Sequence, residues 1–181
     1  DEGEAITFLG DKAKSEETQA ELKSALLMAV GLIFTILVLQ FGSFFQPIVV
    51  MASLPFALTG VFLGFYVFGI QFSFPSMIGV VSLAGIVVND SIVLVDTCNR
   101  FRAEGMVVYE AMRQAGTQRL RPILSTTLTT VIGLLPLALT DPVWEGLCLA
   151  IVFGISLATL LILIMVPALY LLVEDRHGSH D

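Results

Sequence analysis

Charged residues are scarce in this sequence, at 14% of its 181 residues, whereas a soluble domain carries about 25%. Hydrophobic residues reach 56%, and the mean hydropathy is +0.89. The nine basic residues form no stripe interleaved with aromatic residues, which excludes a surface of the usual kind for nucleic acid. The net charge of −7 points to no partner, because seven of the sixteen acidic residues fall within the first 21 positions. This composition predicts an integral membrane protein.

Cysteine and histidine are also rare, with two of each. In the topology derived below, Cys98 and Cys148 lie near opposite faces of the membrane, roughly 30 Å apart, so they cannot pair and we expect buried, inert thiols. His177 and His180 fall in a polar tail at 177–181. Because metal-ligand spacings, redox motifs and glycine-rich phosphate loops are absent from the sequence, we predict no metal site, no cofactor and no enzyme or ATP-driven motor.

The sequence also lacks an initiator methionine and a signal peptide, since its first 20 residues are polar and acidic. We expect residues 1–20 to be the end of a water-exposed domain, and the chain to be a piece of a larger protein. Within this segment, residues 5–9 are predicted to form a short strand that ends at Gly10. Residues 15–18 are predicted to start a helix.

Long apolar runs are what the sequence does have. Five of them suit helices that cross a bilayer, which takes about 20 residues; they lie at 22–41, 48–68, 74–98, 122–140 and 147–173. Apolar residues at helical spacing predict an amphipathic helix at about 103–117, lying along the membrane or on other protein surface: Val108, Ala111, Met112 and Ala115. The predicted fold is an all-α integral membrane domain over 21–176, with five transmembrane helices and this amphipathic helix.

The basic residues predict the orientation. Five arginines fall in the loop 99–121, whereas the turns at 69–73 and 141–146 contain neither Lys nor Arg. The positive-inside rule therefore places this loop and the C-terminal tail in the cytoplasm, and the N-terminal segment outside. Lys12 and Lys14 then lie outside, which the rule tolerates in long translocated domains.

The third predicted span carries an amide and a carboxyl group side by side, at Asn89 and Asp90. An aspartate at the centre of a membrane helix costs roughly 2.5–3.5 kcal/mol on insertion scales, and such residues usually handle ions or protons. Apolar surroundings favour the neutral carboxyl, so Asp90 is a candidate for loading and unloading a proton. The alternative is a structural Asp90, hydrogen-bonded at a helix contact. Asn89 does not titrate and would orient a partner.

The fourth predicted span has a cluster of hydroxyl groups in its first half. Thr126, Thr130 and Gly133 share one helical face. The hydroxyl groups either bond Asp90 or a file of water, or satisfy backbone carbonyls of their own helix. Arg119, one to two turns before Thr126, either anchors the helix at the headgroups or reaches into a cytoplasmic water path.

Glycine and proline mark positions of contact and bending. Gly60 and Gly64 form a GxxxG pair, which permits close helix packing. Gly133 and Pro136 loosen the fourth span and predict hinge-like bending there. Pro55 lies inside the second span, where neighbouring helices can satisfy the freed backbone groups.

Several runs resemble the resistance-nodulation-division (RND) superfamily, in its acriflavine-resistance (AcrB-type) branch. They are GIVVNDSIVLVD at 85–96, RLRPILSTT at 119–127, GLLPL at 133–137, QFGS with QP at 40–47, and VPALY at 166–170. They stand in the right order across nearly the whole chain. The chain therefore resembles the second half of an RND transmembrane bundle, the last five of twelve spans.

The resemblance implies a proton/substrate antiporter that exports drugs or other amphiphiles from the inner membrane of Gram-negative bacteria. Protons are the coupling ion it implies, with no cofactor. The implied partners are the N-terminal half of the same transporter, two further copies in a homotrimer, a periplasmic adaptor, an outer-membrane channel and the lipid bilayer. Residues 1–20 would end a periplasmic domain.

The resemblance also implies coupling residues. The relay of this family joins two aspartates of an earlier span to a lysine, a threonine and an arginine. The threonine falls on Thr126 and the arginine on Arg119, but the lysine falls on Asn89, so this sequence departs from the pattern. We expect Asp90 to contribute a carboxyl group alongside the missing aspartates. The alternatives are a non-transporting scaffold or assembly subunit, which should tolerate Asn or Leu at position 90, and a lipid-handling member of the same fold.

Overall fold

The computed structural model describes the backbone of residues 2–178, and the side chains of residue 18, of 20–21 and of 23–172. Along residues 2–178, six helices follow one another: α1 Glu2–Phe41, α2 Phe45–Met51, α3 Ser53–Phe68, α4 Phe74–Ala103, α5 Val108–Thr140 and α6 Pro142–Gly178. The backbone from 2 to 178 contains no strand. Within the part of the chain that the structure describes, five stretches are long and apolar enough to span a membrane, with α2 and α3 together forming the second of them. The predicted all-α fold with five such helices is confirmed.

The segment Asp1–Ile36 is a compact unit. Helix α1 begins at Glu2, so the strand predicted at 5–9 is wrong. The segment contains no proline and is rich in Ala, Glu and Lys, which favour helix, and the apolar run at 5–9 is too short to override them. The prediction that residues 1–20 close a water-exposed domain stays a prediction.

The second predicted span is interrupted at Ala52, where α2 ends and α3 begins. Pro55 has no N–H group, so the carbonyl of Met51 loses its usual partner four residues on. The Ser53 hydroxyl also donates to the carbonyl oxygen of Val50 at 2.6 Å, which offers that group an alternative to the helical ladder. The span therefore consists of two helices instead of one.

Helix α4 begins at Phe74, as predicted, and ends five residues later than the predicted span. Before it, Gly69 adopts φ +66°, a left-handed conformation that costs glycine little, and closes α3. Ser73 caps α4 through a reciprocal contact with Ser76, whose hydroxyl accepts from the Ser73 N–H at 3.2 Å. These local signals fix the register of the helix that carries Asn89 and Asp90.

The amphipathic segment is continuous with the fourth span, because α5 runs unbroken from Val108 to Thr140. Its apolar residues Ala111, Met112 and Ala115 are buried, so this face packs on protein. Pro122, at the predicted start of the fourth span, therefore lies inside α5.

Helix α6 is the centre of the bundle formed by Leu37–Asp181, because it contacts each of α2, α3, α4 and α5. Its buried face is mostly apolar and meets mostly apolar faces of the surrounding helices, with fully buried side chains that include Ile155, Ile162, Val61, Leu83 and Leu94. Helices α4 and α5 also pack on each other, joined by a four-residue connection at 104–107. This packing positions the polar residues described next.

Candidate functional site

Asp90 lies near the middle of α4 with only 9% of its surface exposed. Val87 and Leu94, about one turn away on either side, are buried too. Ser91 is fully buried and donates its hydroxyl to the carbonyl oxygen of Val87 at 3.1 Å. Within the side chains that the structure describes, the carboxyl group of Asp90 makes no hydrogen bond. Asn89 is exposed, so the two neighbours lie on different sides of α4.

Helix α5 brings Arg119 against α4. Its Nε–H group donates to Oγ1 of Thr97 at 2.7 Å, and the Thr97 hydroxyl donates in turn to the carbonyl oxygen of Val93 at 2.7 Å. Thr97 is fully buried and Arg119 is half-buried. The guanidinium group of Arg119 therefore bridges α5 and α4. It does more than anchor α5 at the lipid headgroups.

Asp90 and Thr126 lie at about the same depth. Thr97 comes seven residues after Asp90, and Thr126 comes seven residues after Arg119. Seven residues make two helical turns, roughly 10 Å, and return to the same face. Because a short connection joins α4 to α5 and the two pack together, they are antiparallel. Asp90 on α4 and Thr126 on α5 therefore lie the same distance along the bundle from the Thr97–Arg119 contact.

The hydroxyl groups of α5 have two kinds of partner. Thr126 donates to the carbonyl oxygen of Ile123 at 2.9 Å, and Thr129 to that of Ser125 at 2.9 Å, so both satisfy their own backbone. Thr127 instead shares a 2.7 Å hydrogen bond with the buried Thr159 of α6. In this structure the Thr126 hydroxyl therefore satisfies a backbone carbonyl of its own helix and does not bond Asp90. The Thr127 hydroxyl links α5 to α6.

Gly60 and Gly64 lie against α6. A Cβ atom at Gly60 would come within 2.8 Å of the carbonyl oxygen of Phe153 and 2.9 Å of Cβ of Leu157, and one at Gly64 would overlap the Phe153 ring. The α3–α6 contact thus has the close approach that a GxxxG pair permits. A Cβ atom at Gly133 would meet no described atom within 4 Å. Helix α5 continues through Pro136, and the bending predicted there stays a prediction.

Sequence reasoning missed a polar network at the arginine-rich end of the bundle, where α4 ends. It joins Gln46 of α2, Asn99 and Arg102 of α4, and Tyr170 of α6. Tyr170 is 1% exposed. A tyrosine within an apolar run was the available signal, because a buried phenol usually requires a hydrogen-bond partner.

The two cysteines and Asp96 are the remaining residues that the sequence offers for chemistry. Cys98 and Cys148 are both buried and form no disulfide, as predicted. Asp96 is exposed on α4. Among the residues with described side chains, no three His, Cys, Asp or Glu gather as metal ligands.

Comparison with known proteins decides the family. The family model described as "AcrB/AcrD/AcrF family" matches residues 2–174. The chain belongs to the AcrB/AcrD/AcrF family. The resemblance to RND efflux transporters is thereby confirmed, and with five apolar helices of spanning length the chain is part of a multi-pass membrane protein.

Curated relatives extend the match along most of the chain. "Swarming motility protein SwrC" of Bacillus subtilis is 38% identical over 166 residues, 89% of this chain and 16% of that protein. "Multidrug resistance protein MdtC" of Erwinia tasmaniensis is 34% identical over 173 residues, 93% of this chain and 17% of that protein. The chain therefore spans only 16–17% of the length of these relatives.

Solved structures agree with the sequence matches. The crystal structure of a heavy metal efflux pump superposes with a TM-score of 0.78 at 28% identity, covering 88% of this chain and 16% of the pump. The bundle described above therefore has the fold of one part of a known efflux transporter.

Proposed function

We propose that this chain is the coupling half of the membrane domain of a proton-driven RND efflux transporter, a proton/substrate antiporter. The observation that carries the proposal is Asp90, an ionisable side chain buried midway along a 30-residue apolar helix. Keeping a carboxylate ionised inside a membrane costs several kcal/mol, about 2.5–3.5 on insertion scales, so an aspartate there serves best as a group that binds and releases a proton.

The surroundings of Asp90 support this role. Arg119 stays protonated at any physiological pH, and its bond to Thr97 holds it roughly 10 Å along the bundle from Asp90. A fixed cation at the end of the α4–α5 pair favours the ionised carboxylate form of Asp90, which opposes the cost of its burial. Thr126, at the depth of Asp90, carries a hydroxyl group that can exchange its backbone partner for water or carboxyl oxygen.

Drugs or other amphiphilic compounds are the proposed substrates. Relatives named multidrug resistance proteins reach 34% and 35% identity. A relative named for cobalt, zinc and cadmium resistance, in Cupriavidus metallidurans, reaches 29%. Metal export is the second candidate, because the heavy metal efflux pump shares the fold with a TM-score of 0.78. Export of a fluorescent cationic dye, compared with export of Zn²⁺ by the same vesicles, separates the two classes.

Family membership supports the rest of the proposed setting. The transporter would lie in the bacterial inner membrane, with the arginine-rich end and the C-terminal tail in the cytoplasm and the N-terminal segment in the periplasm. It would act as a homotrimer, together with a periplasmic adaptor and an outer-membrane channel. The N-terminal half of the same protein would cover the exposed sides of α5 and supply the partner carboxyl groups.

The test uses the full-length transporter in proteoliposomes with an imposed pH gradient. Asp90→Asn keeps the size of the side chain and removes its proton, so pH-driven export is expected to stop. Asp96→Asn is the matched control, because Asp96 is exposed six residues later on the same helix, and it should retain export. Undiminished export by Asp90→Asn would instead support a structural Asp90, whereas a wild-type protein that exports nothing would support the scaffold alternative.

A further inference from the structure

The polar network at the arginine-rich end has four members on three helices. Asn99 and Gln46 pair reciprocally through their amides, with Nδ2 of Asn99 donating at 2.8 Å and Nε2 of Gln46 donating at 3.2 Å. The Tyr170 hydroxyl donates to Oδ1 of Asn99 at 2.7 Å and accepts from Nη1 of Arg102 at 3.1 Å. We call Gln46, Asn99, Arg102 and Tyr170 the clamp.

Asn99 is the centre of the clamp. Its carbonyl oxygen accepts from both Gln46 and Tyr170 while its amide donates to Gln46, so one α4 side chain joins α2 and α6. Tyr170 is buried and the other three members are half-buried. An unpartnered amide or hydroxyl group is costly in such a setting, so each of the four bonds favours the others.

The clamp holds α4 on the side away from Asp90. Asn99 follows Asp90 by nine residues, which corresponds to half a turn around the axis and about 14 Å along it. Thr97 follows Asp90 by two full turns and bonds Arg119 on the other side. Near its end, α4 is therefore fixed to α2 and α6 on one side and to α5 on the other. A slide of one turn, about 5.4 Å, would break every one of these contacts.

We propose that the clamp residues are positioning residues for the coupling step, because they fix the register of α4 and with it the depth of Asp90. The hydrogen bonds that define the clamp involve neither Asp90 nor Arg119, so the clamp residues act through the helix. The proposal rests on the proposed function, since a fixed depth for Asp90 has meaning only where Asp90 takes up and releases protons. The clamp would keep the carboxyl group within reach of one water path at a time.

The experiment uses Tyr170→Phe in the full-length transporter, with all cysteines except Cys98 and Cys148 replaced. The substitution keeps the buried ring and removes the hydroxyl group that serves both Asn99 and Arg102. Tyr109→Phe is the control, because Tyr109 is 64% exposed. Cys98, next to Asn99 and fully buried, reports opening of the clamp through its rate of modification by a water-soluble maleimide, and the buried Cys148 is the internal reference.

Tyr170→Phe is expected to raise the labelling rate of Cys98 about fivefold to tenfold, as the loss of the two hydrogen bonds of its hydroxyl group permits, and to leave that of Cys148 unchanged. It should also shift the pH profile of export by about half a unit, since the carboxyl group then samples other depths. Tyr109→Phe should change neither.

If Tyr170→Phe leaves the labelling rate of Cys98 unchanged, the four residues do not hold this end of α4 in place. Faster labelling with a wild-type pH profile would leave the clamp as a merely structural contact and overturn its positioning role. Failure of the proposed function has another signature, because wild-type export would then ignore the pH gradient while Tyr170→Phe still accelerates Cys98 labelling. In that case the positioning proposal falls with the function, although the clamp stands.

Discussion

Arg119 and Thr97 connect α5 to α4 through a 2.7 Å hydrogen bond from Nε–H to Oγ1. The Thr97 hydroxyl can accept this bond because its own proton points to the carbonyl oxygen of Val93, at 2.7 Å. One buried hydroxyl group thus ties a charged side chain to the backbone of the neighbouring helix. The contact also sets the relative register of the two helices that carry Asp90 and Thr126.

Replacing Thr97 tests this connection. Thr97→Val keeps the shape and removes the acceptor, so the full-length protein should lose about 1–2 kcal/mol of stability, the range for bonds to charged groups and between membrane helices. Thr97→Ser keeps the hydroxyl group and should restore most of this loss. Thermal unfolding in detergent measures both. Thr117→Val is the control, because the exposed Thr117 bonds only to Arg113 of its own helix. Equal melting temperatures for Thr97→Val and Thr117→Val would contradict the prediction.

The approach of α3 to α6 should tolerate no side chain at Gly64. Gly64→Ala forces a methyl group into the Phe153 ring, and overpacking of this kind typically costs about 1–3 kcal/mol. Gly85→Ala is the matched control, since a Cβ atom there meets no described atom within 4 Å, and relief of the glycine helix penalty should stabilise it by up to about 1 kcal/mol. The melting temperatures of the two full-length variants should move in opposite directions.

Sequence reasoning predicted the architecture because long apolar runs have few alternatives in a membrane. It placed the start of α4 and the end of α5 at the observed residues, where a serine cap and an aspartate mark the boundaries. It predicted a separate amphipathic helix at about 103–117, whereas residues 108–117 are the first part of α5. Hydropathy alone does not show this, because the segment is held in place by burial of Ala111 and Met112 against the bundle. It also ended the third span at Cys98, one residue before Asn99, the centre of the clamp. Hydropathy could not reveal Asn99, because its partners Gln46 and Tyr170 lie 53 and 71 positions away in the chain.

The hydroxyl pair between α5 and α6 should contribute a measurable coupling energy. Thr127 and Thr159 share a 2.7 Å hydrogen bond, and such bonds between membrane helices average about 0.6 kcal/mol. A double-mutant cycle with Thr127→Val and Thr159→Val, read from the unfolding free energy of the full-length protein, should therefore give a coupling of about that size. The parallel cycle with Thr129→Val and Thr159→Val should give none, because Thr129 bonds to its own helix. Equal coupling in the two cycles would rule out a specific Thr127–Thr159 contact.

The break at Ala52 should depend on Pro55. Pro55→Ala supplies the N–H group that the carbonyl of Met51 lacks, so α2 and α3 are expected to join into one helix. Hydrogen exchange of the full-length protein should then show slower exchange across residues 48–58. Pro142→Ala is the control, because a proline at the first position of α6 removes no helical hydrogen bond. Since α2 carries Gln46, straightening the helix should also pull that side chain from Asn99 and speed the labelling of Cys98. Unaltered exchange at 48–58 would show that Ser53, through its bond to Val50, holds the break open by itself.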